Sequence, residues 1–171
     1  MRHVLAIPLE EVRRHFETNE RQSLKIVAPV RLGAELFARL RADGVNAKPE
    51  APLSGNTWRH SAHGEANLIC ESRDFATTHA AIPHDGDFTI SFGTERGPQD
   101  SHLHRRHAEI YFSEHALTAE YWLEGSRARS ELALPHGGAL VFAAGVAHRV
   151  TLGGLTIVIE APAVEGDKFS A

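Results

Sequence analysis

The sequence predicts a mainly β fold, an antiparallel sandwich or barrel, with a helical segment in front of it. Three features carry this expectation. Apolar residues recur at helical spacing up to about residue 44, short alternating stretches take over from Trp58, and glycine-bearing breaks divide those stretches with no helical period after Gly97. At 171 residues the chain is long enough for one domain with a core and short for two.

Pro8 ahead of Glu10 and Glu11 reads as a helix opening, with proline in the first turn and acids at the positive end of the dipole. Leu9, Val12 and Phe16 share a face, and Thr18-Asn19 closes the helix. Leu32, Leu36, Phe37 and Leu40 mark a second helix, with Gly44 placed as its left-handed cap. Lys48 to Asn56 is a loop punctuated by proline and glycine. About fifty residues rarely carry a core alone, so residues 1–56 are expected to be a helical extension packed on a β domain, sandwich or barrel, of residues 57–171. The strands expected there are Leu68-Ile69-Cys70, Phe88 to Phe92, roughly 108–112, Leu117 to Leu123, Arg127 to Leu134, Ala139 to Phe142, His148 to Leu152 and Leu155 to Glu160.

Composition removes several functions. With 18 Lys+Arg against 22 Asp+Glu the net charge is −4, and no basic stripe offers itself to nucleic acid. Cys70 is the only cysteine, which excludes an intrachain disulfide and a thiolate zinc cage. The longest small-or-apolar run, Ala139 to Ala147, is too short to span a bilayer. Pro8 to Glu11 interrupts the N-terminal apolar stretch before it reaches signal-peptide length. A cytoplasmic protein that engages neither nucleic acid nor membrane is expected.

The 12 histidines are the compositional feature with chemical content, since neutral imidazole is the commonest metal ligand. In Gly97-Pro-Gln-Asp-Ser-His102-Leu-His104-Arg-Arg-His107-Ala-Glu109, residues 102 and 104 share a strand face and can present both rings to one ion. Glu109 has the wrong parity to join them on a straight strand. A bend at Arg105-Arg106-His107, or a crossing to another strand, has to bring it in. His148 follows the glycines of Gly137-Gly138 and Gly145 and comes from a further strand. Three imidazoles and a carboxylate suit iron, manganese, nickel, copper or zinc. One HxH pair is expected by chance in so histidine-rich a chain. The full set, with the spaced glutamate and the downstream Gly-x7-Gly-x2-His, has a chance expectation of roughly a few in a thousand. An HxHxDH metallohydrolase motif is rejected, because Arg106 stands where that motif needs aspartate.

Gly97…His102-x-His104-x4-Glu109 followed by Gly137-x5-Ala143-x-Gly145-x2-His148 resembles the two motifs of the cupin superfamily over roughly residues 85–162. The departures lie in turns: Gly97 to His102 is one residue short, Ala116 replaces a glycine and Ala143 replaces a proline. The resemblance implies a small antiparallel jelly-roll barrel with His102, His104, Glu109 and His148 as ligands of one divalent transition metal in its interior. It also makes a homodimer the expected assembly.

Outside that set, His107 reads as solvent-facing, with a fifth-ligand role as the alternative. His60, His63, His79 and His84 read as surface or loop histidines. Phe88, Ile90, Phe92, Phe142 and Val150 read as core, and Phe92 and Phe142 are also candidates to line a substrate pocket. Tyr111 shares the parity of Glu109, so it is expected to face inward as packing or to touch substrate. Arg149 should point outward, and Cys70 reads as buried filler.

Four protein ligands on an octahedral ion leave two positions open, which suits side-by-side binding of a small organic substrate and dioxygen on Fe(II). The expected function is therefore a non-haem Fe(II) oxygenase or dioxygenase, an oxidoreductase. The alternatives are a sugar-type isomerase or epimerase on Zn, Mn or Ni, working without oxygen, and a cupin that senses a small ligand without turnover. A regulator of that last kind commonly carries a helix-turn-helix, and the long Ser23 to Pro29 stretch between the two predicted helices speaks against one.

Overall fold

In a chain of alternating apolar strands, register decides which side chains meet, and here it sorts them into two interiors. The computed structural model describes residues 3–18, 27–42, 56–57, 59–61, 67–72, 77–80, 89–93, 96–162, 164 and 166–171, and only the backbone at 15–18, 27–28 and those between 56 and 91. The elements run β1 (Val4–Pro8), α1 (Leu9–Thr18), α2 (Val27–Ala42), β2 (Asn56–Thr57), β3 (Arg59–Ser61), β4 (Asn67–Ser72), β5 (Thr77–Ala80) and β6 (Thr89–Gly93). They continue with β7 (Arg96–Pro98), β8 (His102–His104), β9 (Ala108–Ser113), β10 (Leu117–Leu123), β11 (Ser130–Leu134), β12 (Gly138–Phe142), β13 (Val146–Gly153), β14 (Thr156–Ala161) and β15 (Lys168–Ser170).

One six-stranded sheet has the order β1-β12-β9-β14-β6-β3. The second runs β11-β10-β13-β8-β15 with β7 beside β13, and a small sheet joins β2, β4 and β5. Every described pairing is antiparallel. The architecture is a mainly β antiparallel jelly-roll barrel with helices near its N-terminus.

The row Phe92–Ile157–Phe112–Ala139 and the row Ile110–Ile159 lie on one face of the first sheet by register. They pack with Val12, Val30, Leu32, Leu36, Phe37 and Leu40 of the two helices. The Phe37 ring meets Phe112 edge-on, centroids 5.7 Å apart at 78°. Gly33 lets α2 settle there, since a Cβ at that position would lie 3.1 Å from Phe112 Cβ. The opposite parity, Tyr111, Leu140 and Val158, faces the second sheet and packs with Leu117, Ala119, Leu134, Phe142, Val146, Val150 and Leu152.

Several sequence expectations differ in detail. Val4–Pro8 is a strand along the edge of β12, because the four residues Val4 to Ile7 ahead of Pro8 are too few for a helix and can pair instead. Gly138, at φ 139°, admits that close pairing, since a side chain there would run into the Ile7 carbonyl. β11 begins at Ser130 rather than Arg127, because Ser126 Oγ accepts the Ala128 N–H and holds a turn. β7 and β15, three residues each, had no period to reveal them. α2 starts at Val27, which puts Pro29 in its first turn, and Gly44 lies outside the described residues.

Candidate metal centre

The bend at Arg105–His107 carries the chain from β8 in the second sheet to β9 in the first, which resolves the parity conflict between His104 and Glu109. His102 lies opposite His148 on the adjacent strand β13. Glu109 lies opposite Phe142 on one side and Glu160 on the other. Two rows from facing sheets therefore meet: His102 and His148 from one, Phe142, Glu109 and Glu160 from the other. The structure brings His102, His104, Glu109 and His148 together, none of them more than 4% exposed.

Three ring nitrogens converge on a single carboxylate oxygen. Glu109 Oε2 is 3.0 Å from His102 Nε2, 3.1 Å from His104 Nε2 and 2.7 Å from His148 Nε2. At the other side of each ring, Nδ1–H donates to a backbone carbonyl: Asp100 at 2.8 Å, Asp167 at 2.9 Å and Val146 at 3.0 Å. A carbonyl can only accept, so every Nδ1 carries a hydrogen and every neutral ring presents a bare lone pair at Nε2. Satisfying this cluster with protons alone needs three imidazolium rings around one carboxylate oxygen, a net charge of +2 in a buried space. One divalent cation replaces those three protons. Neighbouring octahedral ligands at about 2.1 Å from an ion lie about 3.0 Å apart, close to the distance of each ring nitrogen from Glu109 Oε2. The residues fit a metal ion by donor type and tautomer, and the ligand atoms of His102, Glu109 and His148 lie within 4.8 Å of one another, as do those of His104, Glu109 and Glu160.

Electrostatics follow from this crowding. Burial alone would push the Glu109 carboxyl up, but the three histidine hydrogen bonds hold it well below the usual range. For His104, burial works downward and Glu109 outweighs it, leaving the ring above its ordinary value. Tyr111 is pushed well up by burial and then by Glu109; it is fully buried, and its hydroxyl has no hydrogen bond of normal geometry. Its ring stands edge-on to His148 and Phe142, centroids 6.0 Å away in both cases. Phe142 stacks flat on His148 at 4.0 Å and 4°, fixing the ligand's plane.

Phe92 does not join this group. It belongs to the helix-facing row, because its partner Ile157 pairs with Phe112, of opposite parity to Tyr111. His107 is the second correction: it is buried at 2% exposure rather than solvent-facing. Its Nδ1 lies 3.0 Å from Asp167 Oδ2, misaligned for a hydrogen bond, and its ring lies against His104 with centroids 4.1 Å apart. Burial, then the neighbouring His104, lowers its pKa. Arg149 is exposed and pairs with Glu120. Phe88, His63 and His84 lie outside the described residues, and the side chains of His60, Cys70, His79 and Ile90 are likewise outside them.

Glu160 was missed by sequence reasoning. It faces Glu109 across β14 and β9, and its carboxylate lies within 4.8 Å of ligand atoms of His104 and Glu109. Burial and then Glu109 raise its pKa. The signal was available only after register was known, since residue 160 sits at the end of a strand with no motif around it.

Fold and site together define a class, the jelly-roll β barrel with an interior histidine and carboxylate cluster able to hold a metal. No family model matches the sequence, and no curated protein is significantly similar to it. Among solved structures, oxalate decarboxylase of Bacillus subtilis is similar with a TM-score of 0.48 and 13% identity over 68% of this chain and 28% of that one. CapF in complex with an inhibitor gives 0.44 and 11%, over 67% and 34%. The cupin domain of Drosophila melanogaster CENP-C gives 0.41 and 8%, over 76% and 96%. The chain thus spans under a third of the decarboxylase's length, and the likeness is one of chain course. No described helix is long and apolar enough to cross a membrane.

Proposed function

We propose that the protein is a metal-dependent enzyme, an Fe(II) oxygenase or dioxygenase acting on a small organic substrate. The observation that carries the metal dependence is the meeting of three Nε2 atoms on one carboxylate oxygen, with each ring's Nδ1 held by a backbone carbonyl. Iron(II) held by His102, His104, Glu109 and His148 supplies the one-electron chemistry that lets dioxygen react with an organic molecule. The chain's own residues do the rest. The Tyr111 hydroxyl, beside Glu109 and without a hydrogen bond of normal geometry, can orient a polar group of the substrate. Glu160, with its side chain 23% exposed, offers a carboxylate beside the ligands to a substrate hydroxyl or amine. Phe142 and the aliphatic cluster behind it keep water from the inner side.

Oxygen uptake by the iron-loaded protein with candidate substrates tests this reading. Uptake that is abolished in His104→Ala supports it. Full turnover under strict anaerobiosis supports instead an isomerase or epimerase on a non-redox ion, which the same ligand set would serve by polarising a carbonyl.

A further inference from the structure

The last strand supplies a part of this centre that no motif marks. β15 pairs with β8, setting Lys168 opposite His104 and Ser170 opposite His102. The strand carrying two of the candidate ligands is thus held between β13 and β15. Immediately before β15, Asp167 turns a buried side chain onto the bend between β8 and β9. Its carboxylate accepts the backbone N–H of Arg106 at 2.8 Å and of Arg105 at 3.3 Å, and lies 3.0 Å from His107 Nδ1. Its backbone carbonyl is the acceptor for His104 Nδ1–H.

One residue therefore does two things. The side chain pins the bend that carries the chain between sheets, and with it the His107 ring that backs His104. The main chain sets the tautomer and plane of the His104 ring. His104, His107 and Asp167 do not form a second ion site, although their donor atoms lie within 4.8 Å, because both His104 nitrogens are already engaged.

We propose that Asp167 is a positioning residue of the metal centre and that ion binding is coupled to the docking of β15. A cation at Nε2 draws charge from the imidazole and makes Nδ1–H a stronger donor, which tightens the bond to the Asp167 carbonyl. By reciprocity, a docked β15 raises affinity for the ion. The proposal rests on the metal reading of the site and goes beyond it, since the four ligands alone require nothing of residues 167–171.

The test is Co(II) titration of the 171-residue chain and its Asp167→Ala and Asp167→Asn variants, read by the visible d–d spectrum, with amide hydrogen exchange of Lys168 to Ala171 in the wild type with and without the ion. Asp167→Ala is expected to lower Co(II) affinity about 10–100-fold and to alter the saturated spectrum. Asp167→Asn, which keeps one acceptor for the bend, falls between. Co(II) slows exchange at residues 168–171 in the wild type, a measurement that stands even if the alanine variant does not fold. Wild-type affinity and spectrum in the Asp167→Ala protein, or exchange indifferent to the ion, overturns this proposal alone. A wild type that takes up no cobalt overturns the metal reading and this proposal with it.

Discussion

His104 is bonded at both ring nitrogens, to a carbonyl on one side and to the shared carboxylate on the other, and that separates it sharply from its neighbour His107. His104→Ala removes a donor and should abolish stoichiometric metal binding. His107→Ala should keep the metal but destabilise the fold by about 1–3 kcal/mol, because it empties a buried space between the His104 ring and the Asp167 carboxylate. Elemental analysis and denaturant melts of the two variants check this. The pH dependence has opposite signs with and without the ion. His104 is raised in the metal-free protein, so its contribution to stability is present below about pH 6.5 and is lost as pH rises through the raised value. Metal needs the neutral ring, so affinity climbs through that same window. The gain in Tm on adding metal should be larger at about pH 8 than at about pH 6. The four candidate ligands that the structure brings together were marked in the sequence by two spaced motifs and the family resemblance those motifs carry. The burial of His107 and the placement of Glu160 were not, because both depend on a bend and a strand register that no local pattern encodes.

At the scale of elements, alternation made most strands of the barrel readable, from β9 to β14, and helical period made α2 readable. Parity went further: Tyr111 and Phe112 point to opposite interiors, as adjacent residues of a strand must. What escaped were β2, β3, β5, β7 and β15, segments too short to show a period, and the edge strand β1, whose place is set by the strand it pairs with. The assignment of Phe92 to a pocket failed for a related reason. Both faces of its sheet are covered, one by helices, so an inward apolar residue had two interiors to choose between. Phe37→Ala should therefore cost about 3–5 kcal/mol through loss of packing on Phe112, while leaving metal stoichiometry unchanged. Melting and metal content of that variant together check that the helical face and the ion site are separate.

Among the described residues, apolar clusters pack on both sides of the first sheet, and the second reaches the site through Phe142, which stacks on His148. Barrel closure thus rests on packed side chains. Chelated protein should retain its far-UV circular dichroism and a cooperative thermal transition, shifted down by the lost binding energy. The central claim is that side chains distant in sequence surround one cation. The most direct measurement is anomalous diffraction from crystals grown with Mn(II) or Co(II), collected at the metal edge. The account predicts one strong peak within bonding distance of His102, His104 and His148 Nε2 and of the Glu109 carboxylate. A well-ordered crystal with no peak there, or with the ion held by other residues, contradicts it.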